Sequence, residues 1–72
     1  MGKKEAVIDE YRKGLHDITV AGSEEEIDRI SEKIQDLITD NSGLFSVKEY
    51  TENLATLRIF TWKARYKIQE GI

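Results

Sequence analysis

Between residues 4 and 21 the apolar positions fall three and four apart. Ile8, Tyr11, Leu15 and Ile18 mark one line, with Val7 beside them, and charged residues fill most of the gaps. That period is one face of an α-helix turned toward a core. Gly14 sits at the edge of this face. A mid-helix glycine costs about 1 kcal/mol relative to alanine, and its expected use here is close approach by a neighbouring helix. Gly22 is expected to close the helix as a left-handed C-terminal cap.

A second stripe follows over residues 24–41, made of Ile27, Ile30, Ile34, Leu37 and Ile38. Its start is marked by Ser23 and Glu26, spaced as a capping box. Glu24, Glu25 and Glu26 complement the positive end of the helix. The rest of this helix is polar: seven acids stand between Ser23 and Asp40, against Arg29 and Lys33. The break at Gly22 and Ser23 is so short that the first two helices must be antiparallel neighbours.

The segment "DNSGLF" is the second break. Asn41 and Gly43 suit a helix end. Ser46 and Glu49 form another capping box, and Phe45 and Tyr50 take the positions of a hydrophobic staple. A third helix is therefore expected over 47–69, with Gly71 beyond it. At 1.5 Å per residue it is about 35 Å long, against about 27 Å for each of the others. Its last turns are expected to project past the hairpin. The fold class is all-α: one three-helix domain covering residues 1–72, an antiparallel hairpin plus a longer third helix.

The third helix carries two apolar faces. Val47, Tyr50, Leu54, Leu57, Phe60, Thr61, Ala64 and Ile68 keep the three-and-four spacing throughout, which is the expected core seam. Ala55, Ile59, Trp62 and Tyr66 centre roughly 155° away on the helical wheel. A bundle helix buries an arc of little more than about 100°, so one small core cannot easily use both. Arg58 and Arg65 border the second face on one side; Lys63 and Glu52 lie near its other edge. Trp, Tyr and Arg are the residue types enriched in binding hot spots. The competing expectation is that Trp62 and Tyr66 fold under the first helix, whose N-terminal residues have no evident cap.

Composition narrows the function. The chain has 72 residues and no Cys, which excludes disulfides and thiolate metal sites. A chain this short buries only about 60% of its unfolded surface, so helix packing or a partner must supply its stability. Proline is absent. No apolar run is long enough to span a bilayer. The start "MGKKEAVIDEY" lacks the apolar segment of a secretory signal and the hydroxyl residue of a myristoylation signal. The expected location is cytoplasmic.

Catalytic constellations are missing. His16, the one histidine, falls beside Arg12 and Thr19, off the apolar face, and no Ser or Thr can be matched to a His–Asp pair. The glycines are isolated, so none builds a phosphate-cradling loop. The acids of "SEEEIDRISEKIQD" are spread over a solvent face, without the ligand alternation and central glycine of a calcium loop. No cofactor, metal or small-molecule substrate is expected, and no enzymatic activity.

Two functional readings remain. The first is a protein–protein interaction or assembly module of adaptor, chaperone or inhibitor type. It would dock through Ile59, Trp62 and Tyr66, with Arg58 and Arg65 as rim cations, onto another protein or a second copy. The alternative is a nucleic-acid-binding accessory protein. From Leu54 to Gln69 there are four cations and no acid, and interleaved aromatics can stack on bases. Against this, the net charge is −3, and the acidic second helix repels a polyanion at close range. Part of the charge on the second and third helices is expected to be complementary within the fold.

Overall fold

The computed structural model describes residues 2–71. Three α-helices carry almost all of them: α1, Lys3–Thr19; α2, Glu24–Asp40; and α3, Val47–Gln69. A 3₁₀ turn at Ser42–Leu44 joins α2 to α3. The chain is the expected all-α, three-helix domain. Cross-helix contacts fix the directions. Gly14 meets Ile34 between α1 and α2. Between α2 and α3, Thr39 pairs with Tyr50, Ser31 with Thr61, and Glu24 with Gln69. Those pairs run in opposite senses, so α2 is antiparallel to α3. Lys4 with Glu49 and Tyr11 with Asn53 ascend together, so α1 and α3 are parallel.

The core is wholly apolar among the described residues. Val7, Tyr11, Leu15 and Ile18 come from α1, Ile27, Ile34 and Ile38 from α2, and Leu57 and Ala64 from α3. Ile8, Ile30 and Leu37 are half-buried at the edges of their stripes. The Tyr11 hydroxyl solves its own burial by donating to the Asn53 carbonyl at 2.9 Å. Burial still raises its pKa, the larger effect, against a smaller lowering from Thr56.

The helix starts follow the local chemistry. Ser46 Oγ accepts from Glu49 N–H at 3.1 Å, and the Glu49 carboxylate accepts from Ser46 N–H at 2.9 Å. The capping box is complete, and Phe45 and Tyr50 both pack against the core. At α2 the box is displaced by one residue. Ser23 Oγ accepts from Glu26 N–H, but the Glu26 carboxylate takes the N–H of Gly22 rather than that of Ser23.

Five expectations are corrected. The first helix ends at Thr19, two residues early, and Gly22 is not left-handed. The N–H groups of Val20 and Ala21 fold back onto the carbonyls of His16 and Ile18, so no left-handed residue is needed. Asn41 terminates α2 one residue early, its side chain donating to the Leu37 carbonyl. Val47, which the spacing puts in the seam, is 85% exposed; in this first turn Phe45 and Tyr50 meet the core and Glu49 meets Lys4 instead. Nor do the last turns of α3 project freely. Ile68 packs against the core and Gln69 donates to Glu24 at 3.1 Å, at the very start of α2.

Candidate functional site

The capping box fixes where α3 starts, and its apolar seam sets its rotation. With Tyr50, Leu54, Leu57, Ala64 and Ile68 turned toward α1 and α2, residues about 180° away must face out. They do. Trp62 is 66% exposed, Ile59 and Tyr66 are each 52% exposed, and Ala55 is exposed between them. The N-terminus of α1 does not fold over them. Lys4 is held at the opposite end of α3, where its ammonium pairs with the Glu49 carboxylate at 3.0 Å and lies 5.6 Å from the Phe45 ring centroid.

Trp62 and Tyr66, one helical turn apart, stack with ring centroids 5.9 Å apart and planes at 30°. The two rings form one continuous aromatic ridge along the outer face of α3. Fully burying a large apolar side chain contributes about 1.5–3 kcal/mol. About half of that remains available at each of Ile59, Trp62 and Tyr66, since the core does not use it.

The two rim arginines are not equivalent. Arg58 is exposed and lies at the mouth of a groove between α2 and α3. Leu54 and Leu57 form the floor of this groove, Ser31 and Gln35 its α2 side, and Trp62 part of its wall. Arg65 lines the same groove, but its guanidinium is paired with the Asp28 carboxylate of α2. Its Nε–H is enclosed with no acceptor among the described residues. Arg65 therefore ties α3 to α2, and this pair is the internal charge complementarity expected between those helices. Lys63 and Lys67 stand on the other flank, around a hollow shared with Thr19 and Phe60. Neither has a carboxylate within 4.0 Å among the described residues.

The groove has no signature in the sequence. Leu54, Leu57 and Thr61 read as seam positions, and only the α2/α3 register opens a gap beside them that Trp62 and Arg58 share. His16 is exposed in the last turn of α1. No helix among the described residues is long and apolar enough to cross a membrane, and no cluster of three potential metal ligands occurs among them. Comparison with protein-family models, with curated proteins and with solved structures finds no match. The functional reading rests on this chain's own geometry.

Proposed function

We propose that the protein is a non-enzymatic interaction or assembly module of adaptor, chaperone or inhibitor type, acting in the cytoplasm, that docks through the outer face of α3. The observation that carries this is the exposed line of Ile59, Trp62 and Tyr66 on a helix that already has a separate core seam. Three large apolar side chains aligned on one helix face form a patch, and a patch rimmed by polar groups is the usual mark of a docking surface. The Trp62–Tyr66 stack supports the reading, because the two rings present one contiguous aromatic surface of the residue types enriched in hot spots. Ile59, Trp62 and Tyr66 are the apolar anchors. Arg58 is the rim cation with no carboxylate partner among the described residues, and Arg65 contributes from the groove while held by Asp28.

The test is association. Light scattering across a concentration range gives the mass of the free protein, and titration with a candidate partner gives the complex. Trp62→Ala is expected to keep the helical content and to weaken association by about 2 kcal/mol or more, the usual cost of truncating a hot-spot residue. Association unchanged in both Trp62→Ala and Ile59→Asp would remove this face from the function.

A further inference from the structure

The charges flanking the stripe indicate what lies on it; this step rests on the docking reading above. Successive helical residues turn by about 100°, which sets Arg58 on one side of the Ile59–Trp62–Tyr66 line and Lys63 on the other. The structure agrees. Arg58 borders the groove toward α2, and Lys63 the hollow toward α1. From Asn53 to Gln69 the helix has no acid. Of its cations in that span, only Arg65 has a carboxylate partner among the described residues. Over the span of the three anchors the patch is thus apolar along its centre, with Arg58 on one edge and Lys63 on the other, and the acids Glu52 and Glu70 lie only beyond its two ends on the Lys63 side, in a chain whose net charge is −3.

A second copy is a poor occupant for such a face. Consider an antiparallel two-fold pairing centred between Ile59 and Trp62, the register that covers all three apolar side chains. It lays the arginine flank of one copy along the arginine flank of the other. A parallel pairing lays the arginine flank along the lysine flank. Either way, like charges meet beside the closest apolar contact, and such juxtaposition disfavours a partner. A nucleic-acid strand fits less well too. It needs a run of several free cations for phosphates, whereas Arg65 is already neutralised by Asp28.

We infer that the occupant is an acidic amphipathic helix of another protein. It lies along α3 with its apolar side chains on Ile59, Trp62 and Tyr66 and its carboxylates against Arg58 and Lys63. One apolar side chain of that helix enters the α2/α3 groove beside Trp62, over Leu54 and Leu57.

The experiment uses the full chain and two synthetic helical peptides about three heptads long. Both carry Leu at the a and d positions and no tryptophan. One has Glu at the flanking positions and the other Lys. Trp62 is the only tryptophan in the protein, so its emission reports on the patch directly. The acidic peptide is expected to shift Trp62 emission to the blue at a concentration about tenfold lower than the basic peptide, with a preference that fades as salt is added. Arg58→Glu combined with Lys63→Glu should reverse the preference while the circular dichroism stays unchanged. Equal or tighter binding of the basic peptide overturns the inference, as does failure of both peptides to move the emission. Displacement of the acidic peptide by a lower concentration of single-stranded oligonucleotide overturns it in favour of nucleic acid. A free protein that is already a dimer with Trp62 emission shifted to the blue also overturns it. In that last case the docking reading stands and only the choice of occupant falls.

Discussion

At the scale of single residues, the start of α3 is where the chain is most strongly specified. Glu49 accepts from Ser46 N–H and pairs with Lys4, so one carboxylate caps α3 and ties it to the first turn of α1. The backbone hydrogen bond from Ser46 is the larger cause of its lowered pKa, with the Lys4 side chain next. Because the folded-state pKa is depressed, this contribution to stability is complete above the ordinary glutamate value of about 4.3 and disappears as pH falls through the lower folded value. In an acid titration followed by circular dichroism, Glu49→Gln should therefore flatten the loss of stability below about pH 4.3 relative to wild type. Ser46→Ala should cost about 0.5–2 kcal/mol in denaturant unfolding. Ser42→Ala should cost much less, since only the backbone carbonyl of Ser42 is used, by Phe45 N–H. Equal costs would place the helix boundary elsewhere. This box was readable from the sequence because capping is local, a matter of residues three apart. The fate of Gly22 was not. Whether a helix closes through a left-handed residue depends on whether its last carbonyls find other donors, and here Val20 and Ala21 supply them.

At the scale of elements, α1 and α2 meet at Gly14. A methyl group there would fall on the Ile34 side chain, 2.6 Å from Cγ1. Ile34 is itself 4% exposed and has little room to move aside. Two effects oppose each other in Gly14→Ala: a gain of about 1 kcal/mol in helix propensity and an overpacking cost of about 1–3 kcal/mol. The net change is expected to be neutral to destabilising by about 2 kcal/mol. In an Ile34→Ala background the obstruction is gone, so the same substitution should become stabilising. That change of sign in a double-mutant cycle, read by chemical denaturation, is the check. A stabilising Gly14→Ala in the wild-type background would mean that the helices do not touch there. The three helices and the seam of α3 were legible because apolar spacing is a property of each helix alone. The register of α2 on α3 was not, because it depends on how two stripes settle together. Hence spacing alone puts Val47 in the seam and gives no sign of the groove bordered by Arg58 and Trp62. The exposure of Ile59, Trp62 and Tyr66, by contrast, follows from counting. One helix cannot turn two faces 155° apart, roughly, into one small core.

At the scale of the whole molecule, the charge balance and the outer face of α3 decide how the protein meets others. α2 carries seven acids, and one of them, Asp28, already holds Arg65 of α3. At about 0.15 M salt, binding to duplex or single-stranded DNA is expected to be no tighter than the non-specific range of about 10⁻⁴–10⁻⁶ M. A sub-micromolar affinity that falls steeply with salt and drops on mutating Lys63 or Lys67 would reverse that view. Self-association is not decidable from the sequence: the helical wheel sets the flanks of α3, but not the Arg65–Asp28 pair or the groove beside Trp62, which change what those flanks offer a partner. On this account the outer face of α3 is spare, free of any role in the fold. The most direct test is the unfolding free energy of Ile59→Asp beside that of Leu57→Asp, measured by denaturation where the wild type is a monomer. A domain of this size has about 4–11 kcal/mol of stability. Leu57 is 3% exposed, so a charge there is left buried and unpaired and should unfold the domain. Ile59→Asp should fall within about 0.5 kcal/mol of wild type, as substitutions at an exposed site do. Unfolding of Ile59→Asp to the same extent as Leu57→Asp would contradict the claim, since the face would then belong to the core.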